Sequence, residues 1–203
     1  MRRHHLGAGK TTVAGPLGDR LQAIGSPVHV TTQPSRARLG RLARHNTDRY
    51  RGLTLACLVA ADQYHHLETD IRPHLEQGEI VICDRYVASS YVLQQMDGVP
   101  MDFIESINSH AEPPDLAVLL MSDPAVAASR IAGRGSHGRF ETGIETSTAE
   151  ADLYGESYDR LVASGVPVLV VDTTSHDPDQ VATQIAERII RGQDGPSEQG
   201  ATA

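Results

Sequence analysis

The chain has 203 residues, 39% of them hydrophobic and 22% charged, with a formal net charge of −8. That length suits one domain with a sizeable core, and the acidic balance argues against nucleic acid as a partner, which needs a basic surface. No apolar run reaches the roughly 18 residues of a membrane span and no signal-peptide core follows the basic start, so a cytoplasmic protein with no membrane partner is expected.

Near the start, Leu6-Gly7-Ala8-Gly9-Lys10-Thr11-Thr12 ends in the Gly-Lys-Thr of a phosphate-binding P-loop. In such a loop small residues let backbone N–H groups approach nucleotide phosphates, and the following helix points its positive end at the same anion. Lys10 is expected to reach the β and γ phosphates, and the Thr11 hydroxyl to sit on Mg²⁺. The position of the first motif glycine holds His4, and only Met1-Arg2-Arg3 precede it. The buried strand that normally launches a P-loop is therefore expected to be missing.

A helix follows to about residue 23, with Val13, Leu17, Leu21 and Ile24 at helical spacing. Gly15 and Pro16 weaken it, and Gly25 stops it. Residues 28–31 read as a strand, 32–38 as a polar loop, and 53–77 as a long helix with Pro73 near a kink. Glu79-Ile80-Val81-Ile82-Cys83 is a near-continuous apolar strand, as a parallel sheet buried on both faces requires. It ends in Asp84-Arg85-Tyr86. Helices are expected over 87–95 and 101–110, a buried strand over 115–121, and a helix capped by Asp123-Pro124. A Gly/Ser/Arg-rich loop spans 133–148; a helix over 149–163, a strand over 166–171 and a helix over 177–191 complete the pattern. Residues 192–203 read as a disordered tail. Strands alternating with helices indicate one three-layer α/β domain over 1–191.

Cys57 and Cys83 sit in apolar runs without metal-ligand spacing and are expected as buried, reduced thiols. Of the ten histidines, His4-His5 and His65-His66 are the densest. Adjacent histidines on a helix face different ways, and no second histidine pair stands at helical ligand spacing. Metal binding beyond Mg²⁺ is not expected.

The order of Gly-Ala-Gly-Lys-Thr-Thr (7–12), Thr-Gln-Pro (32–34), Asp-Arg-Tyr-Val-Ala-Ser-Ser (84–90) with Gln94, Pro-Asp-Leu (114–116), Asp-Pro (123–124) and Arg-Ile-Ala-Gly-Arg-Gly…Arg-Phe-Glu (130–141) resembles the thymidylate kinase family of nucleoside monophosphate kinases. The resemblance covers about residues 6–190 and implies a P-loop kinase fold with a five-stranded parallel sheet. It further implies ATP as phosphoryl donor, Mg²⁺ as cofactor, small-molecule nucleotides as partners, and a homodimer. By the same resemblance ATP is held by Gly7, Ala8, Gly9, Lys10, Thr11 and Thr12. Asp84 is the metal-side carboxylate with Thr11, and Arg85 bridges the two phosphoryl groups, a role suited to a planar guanidinium. Arg36 matches the acceptor-phosphate arginine, with Arg38 a competing candidate. Arg134 and Arg139 lie in a lid loop over about 133–148, and Arg130 is either a lid residue or a surface charge.

Several positions depart from the family pattern. Its P-loop aspartate, which reaches the acceptor sugar, corresponds to Leu6. The Phe and Arg that stack on and hydrogen-bond thymine are Val59 and Gln63; Gln can donate or accept, so it could serve a carbonyl or an amino group. The tyrosine against the deoxyribose aligns with Leu93, and Ser90 stands at a base-contacting polar position. These changes suggest altered or relaxed pyrimidine choice. The leading expectation is phosphorylation of dTMP, or of a related pyrimidine monophosphate, to the diphosphate. A nucleoside kinase is disfavoured by Asp-Arg-Tyr in place of Glu-Arg-Ser. A nucleotide-binding pseudokinase draws support from the altered P-loop and the missing strand. A natural start upstream of Met1 is the expectation that would explain that strand.

Overall fold

Residues 80–83 and 116–121 are apolar without alternation, which suits a strand covered on both faces. The computed structural model, which describes residues 2–6, 11–134 and 143–193, sets both in one parallel sheet. Its strands are β1 (Arg2–Leu6), β2 (Val28–Thr32), β3 (Ile80–Asp84), β4 (Leu116–Met121) and β5 (Val168–Asp172), in the order β2-β3-β1-β4-β5. The helices are α1 (Thr11–Ala23), α2 (Arg38–His45), α3 (Gly52–His66), α4 (Arg72–Glu76), α5 (Val87–Met96), α6 (Met101–Asn108), α7 (Pro124–Arg134), α8 (Gly143–Ala163) and α9 (Pro178–Gln193).

Successive side chains of β3 and β4 point to opposite faces, and each face has its own cover. Ile80, Ile82, Leu116 and Val118 pack with Leu17 and Leu21 of α1 and Ile185 and Ile189 of α9. On the other face Val81 and Cys83 meet Leu67, Ile71 and Leu75, while Ala117 and Leu119 meet Val92 of α5 and Tyr154 and Leu161 of α8. Three layers result. Each large aliphatic side chain so buried contributes about 1.5–3 kcal/mol, enough for α1 to form with Pro16 in its interior.

The missing first strand is corrected. β1 is the central strand, running parallel to β3 from Arg2↔Ile80 to Leu6↔Asp84 and to β4 from His4↔Leu116 to Leu6↔Val118. The ladder is a main-chain property: β1 pairs the N–H and C=O groups of both neighbours whatever its side chains are. The apolar character that a central position demands is concentrated in β3 and β4.

Other boundaries move for local reasons. Helix α2 starts at Arg38, the end of the expected loop, and covers residues for which no element was expected, because its arginines masked the buried Gly40 and Ala43. The long helix over 53–77 is α3 and α4 joined by a π-helical segment, Leu67–Ile71. Pro73 has no N–H for the carbonyl of Thr69, and the ladder widens just before it, Arg72 N–H reaching back to Leu67 O. Helix α8 begins at Gly143, inside the expected loop. Ile24 lies beyond the end of α1 and is exposed rather than packed. Cys57 is exposed on α3, whereas Cys83 is buried as expected. The expected tail over 192–203 begins within α9, and its residues 194–203 lie outside those described.

Burial raises the Cys83 thiol well above its ordinary pKa. A thiol reagent should therefore label one cysteine, Cys57, in the native protein and both after unfolding, as counted by mass spectrometry. A Cβ added at Gly40 would lie 2.1 Å from Ser35 O and 2.4 Å from Ser35 N. Gly40→Ala should cost about 1–3 kcal/mol in urea unfolding, as overpacking against backbone does.

Candidate functional site

The register sets the site. Leu6 and Thr32 both pair with Asp84, so β1, β2 and β3 end level at the carboxyl edge of the sheet, and the segments after the second and third of them leave it side by side. In an open parallel sheet that edge is where ligands bind, at the point where strand order reverses. Here that point is β1, flanked by β3 and β4. Gln33 N–H donates to Asp84 O at 2.8 Å and ties the second and third segments together.

Directly after Asp84, Arg85 has φ 71°, the single non-glycine residue with positive φ among those described. For an L-residue that conformation costs about 1–2 kcal/mol, and such strain persists only where the surroundings enforce it. They do so here: Cys83 Sγ–H donates to Arg85 O at 3.1 Å, and Tyr86 OH donates to Glu112 O at 3.0 Å from within the core. Arg85 is half-buried, and its Nη1 is buried without a protein acceptor. A desolvated guanidinium nitrogen with no partner is costly in a finished core and useful beside an anion.

A cleft of about 540 Å³ opens beside this turn, lined by Gly15, Thr32, Arg36, Arg41, Arg44 and Asp84 among others. Arg44 Nη2 donates to Pro34 O and, at 3.5 Å, to Thr32 Oγ1. Burial, and next the charge of Arg85, lower the Arg44 pKa from its ordinary value, with Arg36 acting in the same direction and Asp84 and Asp62 opposing. Cations gathered so closely favour an anion between them. The loop that carries Arg36 is anchored from below: buried Asp62 of α3 accepts from Ser35 N at 2.6 Å and from Ser35 Oγ at 2.5 Å.

Beneath the loop, α3 and α5 supply Val59 and Leu93, both half-buried, and Gln63, Ser90 and Gln94, all buried. Both amide atoms of Gln63 and of Gln33, and Oε1 of Gln94, are buried without a hydrogen-bond partner. Native interiors leave few such groups. Gln33 follows Thr32 of the cleft wall, and Gln63 follows Asp62, which holds the cleft residue Ser35.

The Thymidylate kinase family model matches residues 7–185. A probable thymidylate kinase of Pyrobaculum aerophilum is 33% identical over 190 residues, 91% of this chain and 92% of that protein. The chain belongs to the thymidylate kinase family. A probable thymidylate kinase of Staphylothermus marinus is 40% identical over 128 residues, 63% of this chain; the match spans slightly less than two thirds of that relative, 64%. The thymidylate kinase of Xanthomonas oryzae pv. oryzae is 37% identical over 139 residues, 67% of this chain and 61% of that protein.

Against the family pattern, the structure brings Asp84 and Arg36 to one cleft and sets Arg85 next to Asp84 in sequence. Arg38 opens α2 and is not on the cleft wall. Thr11 and Thr12 are the first two residues of α1, and Arg134 is the last of α7. Gly7, Ala8, Gly9, Lys10 and Arg139, with the rest of 135–142, lie outside the described residues. Arg130 donates through Nη2 to Thr173 O at 2.8 Å and Thr174 O at 3.1 Å, which fastens α7 to the end of β5. Sequence reasoning missed Arg41, Arg44 and Asp62, and read Gln33 only as part of the Thr-Gln-Pro motif. The arginines had a signal: Arg38, Arg41 and Arg44 recur every third residue, a helical stripe. Asp62 had none, since its partner lies 27 residues away.

Arg85→Gly relieves the left-handed strain and removes the unpartnered buried nitrogen. Despite the added freedom of glycine in the unfolded chain, it should raise stability by about 0.5–1 kcal/mol in urea unfolding. A loss of stability would show that the guanidinium serves folding.

Proposed function

We propose that the protein transfers the γ-phosphoryl group of ATP to dTMP, or to a related pyrimidine nucleoside monophosphate, giving ADP and the diphosphate. The observation that carries this reading is Arg85: a strained, half-buried arginine with an unpartnered nitrogen, next to Asp84 on the wall of a cleft lined by Arg36 and Arg44. Phosphoryl transfer asks little covalent chemistry of a protein and much positioning and charge neutralisation. An oxygen of the acceptor phosphate bonds to the γ-phosphorus as its bond to the ADP oxygen breaks, in line. Arg36, with Arg44 behind it, suits the acceptor phosphate; Arg85 suits the equatorial oxygens, and its planar fork can span donor and acceptor.

In this reading the Asp84 carboxylate, at the end of β3, and the Thr11 hydroxyl, both hard oxygen donors, would hold Mg²⁺. When bound, Mg²⁺ supplies neutralisation of phosphate charge. Lys10 and the backbone of residues 7–12 complete the ATP site in this reading, with Arg134 and Arg139 on a lid between α7 and α8 that excludes water. Gln63, Ser90, Gln94, Val59 and Leu93 hold the base and sugar. Gln63 can turn either end of its amide to the base, which supports relaxed pyrimidine choice. A homodimer in the cytoplasm, organised as one kinase domain over 1–191, belongs to the same proposal; among the described residues no helix is long and apolar enough to cross a membrane.

The binding-only alternative drew on the altered P-loop, with His4 at the first motif glycine, and on an absent first strand; β1 is present, which removes the second support. ADP release from Mg-ATP against dTMP, dUMP, UMP, dCMP and CMP tests the proposal. Turnover is expected with at least one acceptor, and silence from a folded sample would overturn it. A preference for dTMP of a hundredfold or more over every rival would refute relaxed choice alone. Arg85→Gly should lower kcat by about 10²–10³ without unfolding the protein. Arg36→Ala should act mainly on the acceptor KM, by about tenfold, if its contact is made equally in ground and transition states.

A further inference from the structure

The histidines hold an arrangement that the phosphoryl-transfer reading does not use. In chain order, His66, Asp70 and His74 are each four residues apart and follow one face of the helix through the π-helical segment, where Asp70 lies. Strand β2, at the edge of the sheet, brings His29 against them. His29 Nε2 lies 3.1 Å from Asp70 Oδ2, and His74 Nε2 lies 3.8 Å from Asp70 Oδ1. The His29 and His74 rings stack with centroids 3.6 Å apart and planes 4° from parallel. One donor atom from each of His29, Asp70 and His74 falls within 4.8 Å of the others, the sole such group among the described residues.

We propose that His29, Asp70 and His74 form a binding site for a divalent transition-metal ion, separate from the Mg-nucleotide centre. Donors bonded at about 2.0–2.2 Å to a tetrahedral ion such as Zn²⁺ stand about 3.3 Å apart. The contacts to Asp70, 3.1 Å from His29 to Oδ2 and 3.8 Å from His74 to Oδ1, lie on either side of that value, and one Asp70 oxygen falls within 4.8 Å of both rings' donors. In the metal-free protein a proton joins His29 to Asp70; the ion takes its place, and the two rings splay to converge on it.

The surroundings are those of a metal site rather than a chance cluster. His74 Nδ1 lies 2.8 Å from Glu79 Oε2. A proton held there on Nδ1 leaves the Nε2 lone pair directed at Asp70, the carboxylate–histidine–metal relation that orients ligands in known sites. Thr31 Oγ1 donates to Asp70 Oδ2 at 2.9 Å, and His66 Nε2, from a buried ring, lies 2.9 Å from the same oxygen. Thr31 and His66 thus fix Asp70 through Oδ2, the oxygen that also meets His29, while its Oδ1 lies nearer His74. The three ligands are partly exposed, 23% for His29, 33% for Asp70 and 30% for His74, which admits an ion and leaves a fourth position for water. Two imidazoles and one carboxylate select a first-row transition metal over Mg²⁺, which prefers oxygen donors.

The test uses the full chain, stripped of metal with chelator and titrated with Co²⁺ and then Zn²⁺. A saturable one-to-one visible Co²⁺ spectrum of tetrahedral type is expected, displaced by Zn²⁺ and untouched by millimolar Mg²⁺. His29→Gln and His74→Gln should abolish it, Glu79→Gln should weaken binding by about tenfold to a hundredfold, and His65→Gln, on the exposed face, should leave it unchanged. In the unaltered protein, Zn²⁺ should shift the imidazole nitrogen resonances of His29 and His74 together, a readout that does not depend on a variant folding. No saturable site in the folded protein, no shift at those two rings, or binding that survives both ligand variants would overturn the proposal.

Discussion

The main-chain ladder that seats β1 between β3 and β4 is the constraint from which the rest of the molecule follows. It aligns Leu6, Thr32 and Asp84 at one level and so ends three strands together at a single edge of the sheet. The energy that holds this alignment comes from elsewhere: from Ile80, Ile82, Leu116 and Val118 under α1 and α9, and from Val81, Cys83 and Leu119 under the opposite layer. Backbone pairing gives direction and register, and burial gives stability. A strand made of Arg, His and Leu can therefore occupy the centre of the sheet.

Cationic crowding is the second theme. Arg36, Arg41 and Arg44 line the same cleft as Asp84, and the charge of Arg85 reaches Arg44. Each like charge destabilises the others, and a protein that needed only to fold would not collect them. Their placement on a helix and on a turn locked by Cys83 and Tyr86 keeps them from relaxing apart. Electrostatic stabilisation of a reacting phosphoryl group depends on such groups being oriented before the substrate arrives.

How much of this was legible in the sequence depended on whether the signal was local. The apolar runs of β3 and β4, the Asp123 cap, whose Oδ1 accepts from Ala125 N at 2.8 Å, and the Asp84-Arg85-Tyr86 turn were readable, because period and motif are written in neighbouring residues. Strand β1 was not. Its residues lack the apolar pattern of a central strand, and its pairing partners lie about 80 and 110 residues downstream. Helix α2 was hidden by its arginines, and Asp62 by its distance from Ser35. The His66-Asp70-His74 spacing was present in the sequence but invisible to a search for paired histidines. Its meaning required His29, which only the fold brings near.

Asp62 has an effect larger than its two hydrogen bonds. It stands one residue before Gln63 and three after Val59 on α3, and it grips the loop that carries Arg36. One helix thereby fixes the distance between Gln63 and the loop that carries Arg36. On the proposed assignment of Arg36 to the phosphate and Gln63 to the base, the site is a ruler as well as a clamp: a nucleoside without its phosphate would reach too short, and a diphosphate too long. Selection for the monophosphate can then arise from a length fixed in the folded chain, and selection among bases is left to the side chains of α3 and α5.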